Sequence, residues 1–235
     1  MSDWSGNPYS KNADDCYRKG RALFDEQKYQ EAVDLFREAA SLGSREATAM
    51  LGYCYSQGAG VPVDHEKAFS YSKQAADAGD GTAAYNTGCY LYYGSGTQTD
   101  YSGAVHYFEI ACTKGSSTAA DFLGTCYLQG KGVNKDPEKA FSLFQTAAAQ
   151  DNDWGLYHVG KCYYDGSGVA QDYSLALDYF RKAVTAGNTN ATYMVGKCFQ
   201  YGHGVSKDLR KAAQFYRIAA AFGVNSAADA LNNLK

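Results

Sequence analysis

A glycine that recurs at a fixed interval constrains the fold of this chain more than any other sequence feature. It occupies five positions, each 36 residues after the one before: Gly52, Gly88, Gly124, Gly160 and Gly196. Self-similarity with a period of 20 to 50 residues is typical of repeat proteins, in which equal supersecondary units stack and bury their apolar faces against their neighbours. The sequence therefore predicts a stack of similar units rather than a single globular core.

Turn and capping residues define the content of each unit. A first helix of about 12 residues ends at a glycine suited to a left-handed C-cap, and a second glycine follows two residues later. An aspartate then precedes a second apolar-patterned segment, where its side chain suits the unpaired N–H groups of a first helical turn. We therefore predict one helical hairpin per unit, with these capping residues: Gly58, Gly94, Gly130, Gly166 and Gly202; Asp64, Asp100, Asp136, Asp172 and Asp208.

The same pattern predicts the boundaries of the N-terminal arm, the domain and its repeats. Residues 1–12 are polar and are expected to form a flexible N-terminal arm. Residues 13–235 are expected to form one all-α domain with six repeats and a short C-terminal capping helix at 225–235. The predicted repeats are 13–43, 45–79, 81–115, 117–151, 153–187 and 189–223.

Composition narrows the class of protein. A hydrophobic content of 45% with 20% charged residues is ordinary for a soluble folded chain. No apolar run is long enough to span a membrane, and the first residues lack the features of a secretory signal, so we expect a cytoplasmic protein without a membrane segment. Cys54, Cys126, Cys162 and Cys198 occupy equivalent repeat positions. They are interpreted as reduced packing residues, and neither a metal nor a cofactor is expected.

Charge is unevenly distributed although the net charge is only −3. Residues 1–115 contain 10 Lys and Arg against 15 Asp and Glu, whereas residues 188–235 contain 6 against 2. This asymmetry is compatible with an acidic partner segment toward the C-terminal end, with weak head-to-tail self-association, or with ordinary solvated faces. We expect a monomer or a weak homodimer.

Two sets of motifs resemble known repeats. The Leu51-Gly52-x-x-Tyr55 and Ala32-x-x-x-Phe36 spacings resemble the tetratricopeptide repeat. The 36-residue unit with GAGVPVD, GKGVNKD, GSGVAQD and GHGVSKD is similar to the Sel-one-like repeat (SLR) family, although the third unit departs with GSGTQTD. The resemblance implies a right-handed α-solenoid whose first helices line a concave groove. It also implies a non-enzymatic adaptor that binds other proteins.

Helical geometry predicts which side chains face this groove. Positions −6, −3, +1, +4 and +5 from the repeat glycine share one side of the first helix, while −4, −1 and +3 share the core side. Tyrosine rings with interspersed amides and lysines suit an extended peptide, although each tyrosine is equally compatible with packing between repeats. The predicted peptide-binding residues, concentrated on the third, fifth and sixth repeats, are Tyr53, Tyr85, Tyr92, Tyr93, Trp154, Tyr157, Lys161, Tyr164, Asn190, Tyr193, Lys197 and Tyr201.

Several other functions are disfavoured. The Gly-x-Gly turns follow helices and lack the Gly-Lys-Ser/Thr of a phosphate loop, and no Gly-x-Ser-x-Gly is present. The histidines occupy unrelated repeat positions, so no catalytic residues are assigned. A pI of about 5.8 favours a protein or peptide ligand over nucleic acid. The alternative function is a small-molecule or hydrolase activity in the groove, for example a β-lactamase-like one.

Overall fold

A computed structural model describes residues 12–234 of the chain. Over this range it contains thirteen helices and no strands. The chain forms two compact units, the first ending at Lys114 and the second beginning at Gly115. The predicted all-α solenoid class, with helical hairpins packed in sequence and a short C-terminal helix, is confirmed. The single-domain prediction stays a prediction, and residues 1–11 of the predicted arm lie outside the described residues.

Unit 1 consists of three helical hairpins, in which each helix packs against the next along the chain. Asn12 is the N-cap of the first helix, and its side chain accepts a hydrogen bond from the N–H of Asp14. The helices are α1 (Ala13–Asp25), α2 (Tyr29–Ser41), α3 (Arg45–Gln57), α4 (His65–Asp77), α5 (Gly81–Tyr93) and α6 (Tyr101–Thr113).

Unit 2 consists of three further hairpins and a terminal helix, again packed in chain order. Its helices are α7 (Ser117–Gln129), α8 (Pro137–Ala148), α9 (Asp153–Asp165), α10 (Tyr173–Thr185), α11 (Thr189–Tyr201), α12 (Leu209–Ala221) and α13 (Asn225–Asn232). Ala227 of α13 is fully buried, and α13 packs on α12. This contact places a short helix over the last repeat, at the predicted capping position.

The connection between the helices of a hairpin follows the predicted chemistry. In the fourth repeat Gly130 ends α7 with a φ of 71°, a left-handed conformation that suits glycine. The side chain of Asp136 accepts a hydrogen bond from the N–H of Lys139 at 2.9 Å. Pro137 begins α8 at a position whose backbone N–H would have no partner within the helix, so the missing N–H of proline costs nothing there. The other four 36-residue repeats have the same glycine C-cap and the same aspartate N-cap.

The repeat glycine makes room for an aromatic ring of the second helix. A Cβ added to Gly160 would lie 2.7 Å from Cδ1 of Phe180, closer than real Cβ contacts allow. Phe180 is fully buried. An aromatic ring of the second helix packs against the glycine in the same way at Gly20, Gly88, Gly124 and Gly196, whereas Ser72 packs against Gly52. The recurring glycine therefore allows close contact between the two helices of a hairpin, and a side chain at this position would push them apart.

The second glycine of the turn has a role that the sequence did not indicate. A Cβ on Gly168 would lie 2.0 Å from the carbonyl oxygen of Pro137, and one on Gly204 would lie 2.2 Å from that of Tyr173. Each contacted residue begins the second helix of the preceding repeat. Gly60 approaches Tyr29 in unit 1 in the same manner. This glycine therefore permits close backbone packing between successive repeats.

The core side of the first helices matches the prediction. The four cysteines at equivalent positions are buried, and all seven cysteines of the chain are free thiols. Most residues of the predicted apolar stripe of the last three repeats are buried too: Leu123, Tyr127, Leu156, Val159, Val195 and Phe199; Tyr163 is half-buried. Within residues 12–234 no helix has the length and apolar character needed to cross a bilayer.

Candidate binding clefts

One cleft lies within unit 2 and is called the unit 2 cleft. Its volume is about 540 Å³, and it is formed by α7, α8, α9, the start of α11 and two connecting turns. The lining residues are Thr125, Leu128, Gln129, Lys135, Phe144, Trp154, Tyr157, His158, Lys161, Cys162, Asp165, Ser167 and Asn190. It brings together four of the predicted groove residues, namely Trp154, Tyr157, Lys161 and Asn190. The fourth repeat, expected to lie away from the centre of the site, supplies one wall.

The wall formed by α9 contains two aromatic rings and a lysine that is paired with a carboxylate. The rings of Trp154 and Tyr157 meet edge to face, with centroids 5.7 Å apart and an interplanar angle of 85°. Burial raises the pKa of Tyr157, so its hydroxyl stays protonated at neutral pH. Lys161 donates a hydrogen bond to Asp165 at 2.5 Å. Burial opposes the charge of Lys161, but this carboxylate outweighs it and raises the pKa of the lysine.

A buried carboxylate paired with a half-buried imidazole supports the same wall. Nδ1 of His158 lies 2.6 Å from Oδ1 of Asp121, and the His158 ring stacks on Phe144 with centroids 4.6 Å apart. The sequence reasoning missed His158. One signal could have indicated a partner: Asp121 occupies the repeat position held by Tyr85, Tyr157 and Tyr193, and a buried carboxylate in a helix needs a donor.

Another cleft lies within unit 1 and is called the unit 1 cleft. Its volume is about 450 Å³ and it is formed by α3, α5, the start of α4 and the turn after α5. It collects three predicted groove residues, Tyr53, Tyr85 and Tyr93, with a fourth tyrosine, Tyr90, that was not predicted. The full lining is Tyr53, Ser56, Gln57, His65, Tyr85, Asn86, Cys89, Tyr90, Tyr93 and Ser95.

Five predicted groove residues line neither cleft. Tyr92 packs against Tyr101 and Phe108, with ring centroids 5.3 and 6.5 Å away. The Tyr164 ring contacts Phe180 and His203, and the Tyr193 ring lies 5.5 Å from Tyr216. The ammonium of Lys197 lies 5.3 Å from the Tyr164 ring centroid and 6.0 Å from that of Tyr193. Tyr201 is exposed. Ligand contact stays a prediction at all twelve positions.

The packed hairpins and turn caps define a helical repeat protein of the tetratricopeptide-like class. The family model of the Sel1 repeat matches six segments: residues 13–44, 45–80, 81–116, 117–152, 155–188 and 189–221. The chain belongs to the Sel1 repeat family, which confirms the resemblance seen in the sequence. Proteins of this family are mainly non-enzymatic scaffolds for protein interactions.

Solved structures share the fold. A protective antigen of uropathogenic Escherichia coli with an SLR fold is 28% identical, with a TM-score of 0.84 over 95% of this chain and 49% of that protein. A Sel1 repeat protein from Oxalobacter formigenes is 24% identical, with a TM-score of 0.86 over 92% of this chain and 86% of that one. A Klebsiella pneumoniae protein described as a sel1 repeat protein is 22% identical, with a TM-score of 0.56 over 86% of this chain and 98% of that one.

The chain thus spans about half the length of the E. coli antigen. None of the curated proteins matches the sequence significantly. The likeness to these structures therefore describes the fold, and the ligand has to be argued from the clefts.

Proposed function

We propose that this protein is a non-enzymatic scaffold that binds an extended, acidic peptide segment of a partner protein in the unit 2 cleft. The observation that carries the proposal is the convergence of Trp154, Tyr157, Lys161 and Asn190 with Thr125 and Gln129 in one cleft of about 540 Å³. These side chains come from three successive repeats, so they form a surface suited to a segment several residues long.

The chemistry of the lining matches an extended peptide. The edge-to-face rings of Trp154 and Tyr157 offer rigid apolar area, which loses little conformational entropy on binding. The amides of Gln129 and Asn190 can pair with both the N–H and the carbonyl groups of a peptide backbone. The lining contains Lys135, Lys161 and one carboxylate, Asp165, which is paired with Lys161. The net charge of these three side chains is +1, so the cleft favours an acidic side chain on the partner.

A paired capture experiment tests this proposal. Wild-type protein and the Trp154→Ala/Lys161→Gln variant would each be used to capture partners from the native cell, with identification by mass spectrometry. We expect a partner held by the wild-type cleft to be depleted about tenfold or more in the variant, because aromatic and charged anchors dominate binding energy. A synthetic peptide from that partner, titrated into both proteins, then gives the affinities directly.

The matched control is Leu175→Ala. Leu175 on α10 is 41% exposed, close to the 44% of Trp154, but lines neither cleft. This variant should retain the partner, and circular dichroism should show unchanged helix content in both variants. Equal recovery of the same partners by wild type and the double variant would disprove the role of the unit 2 cleft.

One observation favours the alternative, a hydrolase or small-molecule activity. The Asp121–His158 pair lies in the cleft wall and could act as an oriented base, and Cys162 lies one helical turn from His158. However, burial raises the pKa of the Cys162 thiol to about 11, which disfavours a thiolate nucleophile. Hydrolysis of a broad ester, amide and β-lactam panel that is lost in His158→Gln would establish this alternative. An inactive wild-type protein would exclude it for those substrates.

A further inference from the structure

We propose that the unit 1 cleft is a second binding site, and that it takes an uncharged, proline-rich segment in the polyproline II conformation. The inference rests on the residues that line this cleft. It is therefore independent of the function proposed for the unit 2 cleft. Two sites of different chemistry would allow one chain to connect two different partner segments.

The charge of the lining excludes an ionic anchor. None of the described residues that line the unit 1 cleft is Asp, Glu, Lys or Arg. Burial raises the pKa of the Cys89 thiol to about 11, so this group is also neutral at physiological pH. The one imidazole among these described lining residues, His65, lies at the exposed start of α4. A charged ligand group would lose water here without gaining a countercharge, so an uncharged segment fits best.

The tyrosine rings form a rigid aromatic surface. Tyr93 and Tyr53 are 65% and 48% exposed, yet each is braced by a neighbouring ring. Tyr92 lies 5.0 Å from Tyr93, and Phe24 lies 6.0 Å from Tyr53, in both cases edge to face. Tyr90 is braced by Phe69 at 6.2 Å. Proline-rich segments dock in aromatic-lined grooves because both surfaces are already rigid and little conformational entropy is lost.

The spacing along α5 matches the repeat of a polyproline II helix. Asn86, Tyr90 and Tyr93 stand at positions i, i+4 and i+7, so they follow one face over about two helical turns, or ~10.5 Å. One turn of polyproline II contains three residues and rises ~9.3 Å. The ~9.3 Å rise of one turn is close to the ~10.5 Å between Asn86 and Tyr93, so two residues one turn apart on such a segment can lie near the two ends of this row.

Hydrogen bonding is compatible with a proline-rich segment. A proline lacks a backbone N–H, so such a segment offers mainly carbonyl acceptors. The amides of Gln57 and Asn86 can donate to these carbonyl groups; Gln57 already donates to Ser56 at 3.2 Å, and its amide carries a second N–H.

The test uses a capped proline decapeptide and a capped Gly/Ser decapeptide of equal length, titrated into the whole 235-residue chain by calorimetry and NMR. We expect saturable binding of the proline peptide only, with affinity nearly constant from ~50 to ~500 mM salt because no charges pair. Tyr93→Ala and Tyr53→Ala should each weaken binding about tenfold, as expected for aromatic anchors. Tyr93→Phe should retain most of the affinity, because it keeps the ring.

Tyr201→Ala is the matched control. Tyr201 occupies the same repeat position as Tyr93, is 56% exposed and lines neither cleft, so its removal should leave proline binding unchanged. Trp154→Ala/Lys161→Gln should also bind the proline peptide normally, which separates failure of this inference from failure of the proposed function. The inference is overturned by no saturable binding, by equal binding of the Gly/Ser peptide or of Tyr93→Ala, or by a neutral oligosaccharide binding there in place of the proline peptide.

Discussion

Asp121 and His158 stand 37 positions apart in the sequence and meet side by side at the unit 2 cleft, which His158 lines. Their side chains are only 9% and 19% exposed. Nδ1 of the His158 imidazole and Oδ1 of Asp121 lie 2.6 Å apart, and in the tautomer that carries the proton on Nδ1 the imidazole N–H donates to the carboxylate oxygen. The His158 ring is thereby held between Phe144 and Trp154, with centroids 4.6 and 5.9 Å away. The pair links two successive repeats beneath the proposed ligand.

The pair should be energetically coupled. Asp121→Ala leaves the half-buried imidazole without its partner and is expected to cost about 1 kcal/mol of unfolding free energy. His158→Phe leaves the carboxylate unpaired and should cost a similar amount. The double variant removes both polar groups and should be more stable than the sum of the single changes predicts. Urea denaturation of all four proteins measures this coupling, and strictly additive losses would show that the contact contributes nothing.

The second turn glycine should be less replaceable than the first. Gly166 and Gly168 have nearly the same backbone, with φ of 69° and 71°, so alanine strains both by about 1–2 kcal/mol. A Cβ on Gly166 would lie 3.4 Å from its nearest neighbour, whereas one on Gly168 would lie 2.0 Å from the carbonyl oxygen of Pro137. Gly168→Ala should therefore destabilise the protein well beyond Gly166→Ala. Thermal unfolding of the two variants compares them directly, and equal melting temperatures would contradict the packing role of Gly168.

Local chemistry explains how much of the fold could be predicted. Gly130 ends one helix through its own backbone conformation, and Asp136 caps the next helix through its first turn. Both depend only on residues close in sequence, so their spacing predicts the hairpin without information on tertiary contacts. Whether a side chain faces the groove depends on its angular position around the helix axis and on the aromatic rings that pack beside it. Tyr92 and Tyr93 were both assigned to the groove, but only Tyr93 lines a cleft, while Tyr92 packs against Phe108. The Asp121–His158 contact joins two repeats through residues that do not recur. The departure of Asp121 from the repeat pattern indicates a partner, but the pattern does not identify His158 as that partner.

Asp64 should make the stability of unit 1 depend on pH. Its carboxylate accepts a hydrogen bond from the backbone N–H of Lys67 at 3.0 Å and pairs with the lysine ammonium, which together lower the pKa of Asp64. A carboxyl group with a lower pKa in the folded state stabilises the fold above its unfolded pKa of about 4. That contribution is lost as the pH falls through the folded value. The melting temperature should therefore decline in acid partly through this group.

Two substitutions at Asp64 separate its charge from its capping oxygen. Asp64→Asn keeps a capping oxygen without the charge, so it should be less stable than wild type at neutral pH and should approach wild type in acid. Asp64→Ala lacks the oxygen and should stay less stable across the whole range. Melting temperatures measured from neutral to acidic pH distinguish these cases. A constant gap between the Asp64→Asn variant and the wild-type protein would show that the charge plays no part.

The buried repeat cysteines should be unreactive in the folded protein. Burial raises the pKa of the thiols of Cys54, Cys126, Cys162 and Cys198 to about 11, so about one thiol in a thousand is ionised at pH 8. Unfolding restores an ordinary thiol pKa of about 8.5. Iodoacetamide labelling with peptide mapping should therefore modify these residues slowly in buffer and rapidly in urea. Fast labelling of Cys162 alone in the folded protein would mean that its thiol is activated, as the neighbouring His158 could do, and would favour the hydrolase alternative.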